Sequence, residues 1–126
     1  MNASTLNKFL KDKSKVSLLK AEIDAEVSEY KKLMEKIGSS ISIYFHEDES
    51  TFLNTYGLLN LINQTINGYL KDPELNYICD CLTLAENVEF ENEKIKEIVF
   101  EIADQEIWGN YKSVDELKAI TKILQK

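Results

Sequence analysis

A chain of 126 residues, 44% of them hydrophobic, is long enough to bury one core, which excludes an intrinsically disordered protein. The formal net charge is −7 and every basic residue is a lysine, which disfavours a nucleic-acid partner because the phosphate backbone repels an acidic protein and guanine recognition favours arginine. No apolar run is long enough to cross a bilayer and residues 1–15 lack the apolar segment of a secretory signal, so we expect a cytoplasmic protein with no membrane partner.

The N-terminal third is predicted to be mainly helical. Residues 15–37 carry an apolar residue at every seventh position and end before Gly38, as an amphipathic helix does. A sixth, short helix near Thr5–Leu10 is considered as an alternative to a bundle of five. Residues 40–46 alternate apolar and polar side chains, which predicts a short extended segment buried on one side, with residues 88–90 as the only candidate pairing partner.

The next predicted helix spans residues 50–70 and carries a neutral amide stripe. Phe52 and Tyr56 are assigned to its apolar face because they continue the helical spacing of the leucines and isoleucines that follow. The stripe is interpreted as an exposed face, with a polar contact surface as the alternative. Its members are spaced by three or four residues: Asn60, Asn63, Gln64 and Asn67.

Three helix starts are predicted in the second half of the chain. Asp72, followed by Pro73 and Glu74, has the sequence of a helix N-terminus, and a further helix begins near Asn92. Ser113 and Glu116 form a capping box at the start of the last helix. The sum is an all-α fold: one domain over residues 1–126, a bundle of five or six helices with one short extended segment near residues 40–46.

No residue pattern of a catalytic or metal site is found. Cys79 and Cys81 would point about 200° apart on a helix, so they are interpreted as buried free thiols. His46 is the only histidine and has no nucleophile at motif spacing, and the carboxylates at 47–49 are interpreted as capping the helix that follows. We therefore predict a protein that is not an enzyme and has no catalytic residues, no metal site and no cofactor.

The acidic residues are concentrated in one segment. Residues 72–108 contain eleven carboxylates and two lysines, a local charge of −9, while the rest of the chain is nearly balanced. Glu93, Glu97 and Glu101 are spaced by four and Asp104 extends the row, so they should share one edge of a helix. The row is interpreted either as a solvated outer face or as a docking surface for a basic partner.

Two aromatic residues follow the acidic row. Trp108 is the only tryptophan, and Tyr111 lies three residues later, beyond a glycine. Aromatic residues beside a charged surface have the composition of an interface hot spot. The alternative is that Trp108 packs into the end of the bundle, where a single tryptophan is often found.

Residues 52–63 and 100–109 resemble small bacterial immunity proteins of contact-dependent growth inhibition and related polymorphic toxin systems. The C-terminal half of such proteins has an acidic helix, a short turn and a final helix, and the matching turn residues here are Ala103, Glu106, Ile107 and Gly109. The resemblance implies a cognate toxin domain as partner, often a basic nuclease, which is neutralised by tight binding. Glu93, Glu97, Glu101 and Asp104 would then steer and pair with it, while Trp108 and Tyr111 would anchor it.

The alternative function is a small acidic regulatory or adaptor protein. It would bind a basic host protein or mimic nucleic acid. The oligomeric state is not predicted.

Overall fold

The computed structural model describes residues 1–34, 43–103 and 111–125. It confirms the mainly α-helical fold. The sixth helix, considered near Thr5–Leu10, is present as Ala3–Lys11. The described residues form six helices and two short strands, with a 3₁₀ turn at Lys13–Lys15. In chain order they are α1 (Ala3–Lys11), α2 (Val16–Met34), β1 (Thr51–Leu53), α3 (Thr55–Ile66), α4 (Asp72–Leu84), β2 (Val88–Phe90), α5 (Glu93–Ala103) and α6 (Val114–Leu124).

The strands differ from the predicted extended segment. Residues 40–42 lie outside the described residues, and 43–46 form no strand; His46 instead makes an isolated parallel bridge with Asn2. The sheet consists of β1 and β2 in parallel, with Thr51 opposite Val88. Residues 88–90 therefore form a strand, but they pair with residues 51–53 rather than with 40–46. Residues 51–53 lie within the segment that was predicted to be helical.

The start of α3 corrects the placement of two aromatic residues. Asn54 is the N-cap, and its Oδ1 accepts a hydrogen bond from Gly57 N at 2.9 Å. The helix therefore begins after β1, and the period-of-two geometry of the strand turns Phe52 outward. The Phe52 side chain is 55% exposed and that of Tyr56 is 53% exposed. Their assignment to the apolar face was wrong.

The core is one continuous cluster, to which every helix contributes. The α4 helix packs against α2, α3 and α5. Between α2 and α4 the rings of Tyr30 and Tyr77 meet edge to face, with centroids 5.3 Å apart. Each hydroxyl donates a hydrogen bond of 2.5 Å to a carboxylate on the opposite helix, Tyr30 to Asp80 and Tyr77 to Glu26. The two helices are thus joined by a reciprocal pair of phenol–carboxylate contacts.

Buried amides tie helices together, which corrects the interpretation of the amide stripe as an exposed face. Asn60 and Gln64 are buried, whereas Asn67 is exposed. Asn60 Nδ2 donates to Leu10 O at 3.1 Å, near the end of α1. Asn76 on α4 makes the equivalent contact with Ile102 O on α5 at 2.9 Å. These side chains supply donors to carbonyl groups near helix C-termini, which lack intrahelical partners.

The three helix starts predicted in the second half of the chain are present, and one N-cap lies one residue earlier than expected. The N-cap of α4 is Lys71 rather than Asp72, and Glu74 Oε1 accepts from Lys71 N at 2.8 Å. The capping box of α6 is confirmed: Ser113 Oγ accepts from Glu116 N, and Glu116 Oε1 accepts from Ser113 N.

Both cysteines are free and buried, as predicted. Burial raises the pKa of the Cys81 thiol to about 12 and that of Cys79 further still, so both remain neutral. Across residues 1–34, 43–103 and 111–125, no helix combines the length and the apolar character needed to span a bilayer.

Candidate functional site

The acidic row lies on the outward edge of α5. Its inward side is formed by Ile95, Ile98, Val99 and Ile102, which are all buried. Burial of these four side chains turns Glu93, Glu97 and Glu101 outward, and all three are exposed. Three carboxylates at a spacing of four therefore share one solvent-facing edge, as the sequence predicted. Glu89, which has the same spacing, lies on β2 rather than on the helix.

An open cavity of about 580 Å³ lies beside this edge, between α4 and α5. We call it the α4–α5 cavity. It combines carboxylates with apolar surface, since the Phe100 ring remains 44% exposed. Its lining residues are Asp80, Thr83, Glu97, Phe100, Glu101 and Ala103.

Asp80 is the least exposed carboxylate of the cavity. One of its oxygens accepts the hydrogen bond from Tyr30, which lowers its pKa, but burial outweighs this effect and raises the pKa to about 6. Burial, followed by the contact with Asp80, raises the pKa of the Tyr30 phenol, so Tyr30 remains the donor. The other Asp80 oxygen has no hydrogen-bond partner within the described residues. A cation that entered the cavity would gain by pairing with this carboxylate.

Lysines compensate the acidic edge only in part. Lys112 Nζ lies 3.5 Å from Glu101 Oε1 and 3.9 Å from Glu116 Oε2, which links α5 to the start of α6. Lys96 Nζ lies 5.9 Å from the centre of the Phe100 ring. Among the described residues, Glu93 and Glu97 form no ion pair. The surface therefore keeps negative charge available for a partner.

The aromatic part of the predicted site is only partly described. Asp104 and Trp108 lie outside the described residues. Tyr111 is half-buried and immediately precedes Lys112. The pKa of the Tyr30 phenol is raised mainly by burial and by Asp80, with a smaller contribution from Tyr111. Tyr111 is not among the residues that line the α4–α5 cavity.

Three residues of the cavity, Asp80, Thr83 and Phe100, were not singled out from the sequence. Asp80 stands between two buried cysteines, and its position on α4 is consistent with either a buried or a rim location. Only the packing of α5 against α4 creates the cavity. No spacing rule in the sequence would have identified these three residues together.

The acidic run after His46 has a structural role. Each carboxylate accepts hydrogen bonds from a distant segment: Glu47 from Glu86 N and Asn87 N, Asp48 from Ser4, and Glu49 from Asn7 Nδ2. The bonds from Ser4 lower the pKa of the Asp48 carboxyl. The prediction that these residues cap α3 was wrong, because Asn54 does so.

No cation site emerges from the described side chains. Within residues 1–34, 43–103 and 111–125, no three histidine, cysteine or carboxylate side chains are grouped so as to hold a metal ion.

Comparison of the chain with protein-family models, with curated proteins and with solved structures finds no match.

Proposed function

We propose that this protein binds a basic protein partner at the α4–α5 cavity and along the acidic edge of α5. The observation that supports this most is the position of Glu97 and Glu101, exposed on one helix edge and lining a cavity with an accessible aromatic ring. Carboxylates at such a surface accelerate the encounter with a basic partner, and partly buried pockets hold the residues that dominate affinity.

The lining of the cavity fits the side chain of a lysine or arginine. Such side chains bury an apolar stem and keep a charged head near polar groups. Phe100 and Ala103 offer the apolar wall, whereas Asp80 and Glu97 offer the carboxylates. An arginine head would in addition gain from stacking on the Phe100 ring.

We further propose that the partner is a toxin domain and that the protein acts as its immunity protein in the cytoplasm. The resemblance to immunity proteins of contact-dependent growth inhibition supports this, together with the acidic surface that a basic nuclease would require. Occupying the partner's phosphate-binding surface would exclude its nucleic-acid substrate, because both compete for the same basic residues.

Affinity capture from the organism that encodes the protein tests this function. The tagged protein is washed at low and then high salt, and retained proteins are identified by mass spectrometry. We expect one basic protein near a 1:1 ratio, whose isolated C-terminal domain kills cells unless this protein is co-expressed. Several weakly held proteins that leave at high salt, none of them toxic, would instead indicate a regulatory or adaptor protein.

Two charge reversals locate the binding surface. Glu97→Lys and Asp24→Lys change the net charge equally, but Asp24 lies on α2, beside the start of α4. We expect Glu97→Lys to weaken partner binding by about tenfold or more and Asp24→Lys to change it little. Equal losses in the two variants would show that only net charge matters and would contradict the proposed site.

A further inference from the structure

The two-stranded sheet has an edge, on β2, at which backbone groups face away from β1. In the parallel pair, Thr51 N donates to Asn87 O and Glu91 N donates to Leu53 O, both at 2.9 Å. Alternate residues of a parallel strand direct their backbone groups to opposite sides. The N–H and C=O groups of Val88 and Phe90 therefore face away from β1. Within the described residues, no group forms a hydrogen bond with them.

Among the residues that the structure describes, the outer side of β2 is less covered than that of β1. On the far side of β1 lies α1, whose Asn7 donates to Ser50 O at 2.9 Å. The main contacts of β2 are with β1 and with the start of α5, which follows it in the chain. An edge strand with unpaired backbone groups is a template for a further strand.

The charge around β2 indicates which kind of strand would fit. Residues 86–93 contain four glutamates and no lysine, and all four are exposed: Glu86, Glu89, Glu91 and Glu93. A second copy of this chain paired at the same edge would bring these carboxylates together, which is unfavourable. A basic strand would instead place cations beside them. Charge complementarity therefore favours a basic partner over self-association.

The two faces of β2 also differ. Glu89 is exposed and lies opposite Phe52 of β1, whereas Val88 and Phe90 are half-buried and pack against the core. A third strand would continue this alternation, because side chains of neighbouring strands share faces of the sheet. Its basic residues would lie beside Glu89 and its apolar residues beside Val88 and Phe90.

We propose that β2 receives an extended segment of the basic partner as a third strand, with basic and apolar residues alternating along that segment. The inference rests on the proposed function for the identity of the partner as a basic protein. The inference adds how the partner is recognised. Backbone hydrogen bonds with β2 set the register of the partner strand, and Glu89 and Glu91 select for lysine or arginine.

Amide hydrogen exchange followed by NMR tests the proposal on the intact protein. The probe is a short synthetic peptide of alternating lysine and valine. In the free protein, the Val88 and Phe90 amides should exchange fast, while the Glu89 and Glu91 amides, bonded to β1, should exchange slowly. On addition of the probe we expect the Val88 and Phe90 amides to slow by about tenfold or more. Unchanged exchange at these two amides in the bound state would overturn the proposal.

A second peptide of the same sequence carries an N-methyl group on every backbone amide, so it keeps the charge but has no N–H groups with which to form a backbone ladder. We expect it to bind the protein more weakly than the lysine–valine peptide. If the two peptides bind equally well and both respond to Glu97→Lys, the third strand is contradicted while the acidic binding surface stands. If neither peptide binds, the third strand is contradicted, whereas the proposed function is decided separately by the affinity capture and by Glu97→Lys.

Two proline variants provide a matched comparison. Val88→Pro removes an N–H that β1 does not use, and edge positions tolerate proline. Val114→Pro places proline at the first position of α6, which also accepts it. We expect Val88→Pro to weaken binding of the lysine–valine peptide by about tenfold and Val114→Pro to leave it unchanged. Equal affinities in the two variants would count against the strand, and the exchange measurement on the unaltered protein remains decisive should Val88→Pro not fold.

Discussion

Tyr77 shows at the scale of one residue how polar groups are satisfied inside this core. Its ring is fully buried, its hydroxyl donates to Glu26, and the same oxygen accepts from Tyr44 N at 3.1 Å. One hydroxyl thus connects α4, α2 and the segment before β1. Buried polar groups of this kind cost free energy when a partner is removed.

We therefore predict that Tyr77→Phe lowers the free energy of unfolding by about 1–3 kcal/mol, because Glu26 and the Tyr44 amide each lose a partner. Tyr56→Phe is the matched control, since the Tyr56 side chain is more than half exposed, and it should change stability by less than about 0.5 kcal/mol. Urea denaturation of both variants measures the effect. Equal effects in the two variants would show that the Tyr77 hydroxyl contributes little.

Asp80 links stability to pH. Burial raises the pKa of this carboxyl from 3.8 to about 6. The folded protein therefore holds the proton more tightly than the unfolded chain. The tighter binding of this proton stabilises the folded protein. The stabilisation is fully present below pH 3.8 and is lost as the pH rises through about 6.

Asp80→Asn should remove that contribution. From pH 4 to pH 7 the unaltered protein should lose stability as Asp80 ionises, whereas the variant should not. The difference in free energy of unfolding, variant minus unaltered protein, should therefore increase over this range by on the order of 1 kcal/mol, after allowance for solvent screening. Chemical denaturation at several pH values measures the difference. Asp24→Asn, at an exposed position of α2, should follow the unaltered protein. Parallel pH profiles for Asp80→Asn and the unaltered protein would contradict the burial of this carboxyl.

At the scale of elements, the pairing of α4 with α5 builds the candidate site. The buried side chains of α5 pack towards the core. Asn76 of α4 adds a specific contact, because Asn76 Nδ2 donates to Ile102 O, one residue before α5 ends. The contact holds the last turn of α5, which carries Glu101 and Ala103 of the cavity.

We predict that Asn76→Ala lowers the free energy of unfolding by about 1–3 kcal/mol and speeds amide exchange in the last turn of α5. Asn63→Ala is the matched control. It makes the same change within a helix, and both variants gain helix propensity from alanine. Asn63 is half-buried and its side chain has no hydrogen-bond partner within the described residues. A loss in Asn63→Ala as large as that in Asn76→Ala would argue against a specific role of the Ile102 contact.

At the scale of the whole molecule, the charge is unevenly distributed. Residues 72–108 carry −9, more than the net −7 of the whole chain, and the outward edge of α5 places Glu97 between two like charges, at Glu93 and Glu101. Like charges four residues apart on a helix destabilise it. Proteins commonly retain such costs where the surface serves binding.

Glu97→Gln should therefore stabilise the protein at low ionic strength. Relief of two like-charge pairs is expected to raise the free energy of unfolding by about 0.4–1 kcal/mol in total, and added salt should reduce this gain because it screens exposed charges. Thermal denaturation at low and at physiological salt measures both effects. Asp24→Asn is the control, since its neighbours four residues away are Lys20 and Ser28, and it should not stabilise. A Glu97→Gln variant no more stable than the unaltered protein would indicate that the row carries no repulsive cost.

Much of the fold could be predicted because its signals are local. The inward face of α5 follows from a spacing of three and four residues, and the capping box of α6 from two residues at a fixed separation. The helix predicted from residue 50 was wrong at its start because three residues form too short a strand to show a period, and their partner lies far along the chain, at 88–90.

The sequence by itself determined the helical fold, the two buried thiols and the exposure of the acidic edge, since each depends on the periodicity or composition of one segment. Only the tertiary structure decided that Asp80 and Phe100 share a cavity, that residues 47–49 accept hydrogen bonds from distant segments, and that the backbone groups of Val88 and Phe90 face away from β1. These features join residues from separate segments, and the free energy of such contacts depends on packing geometry that no local pattern encodes.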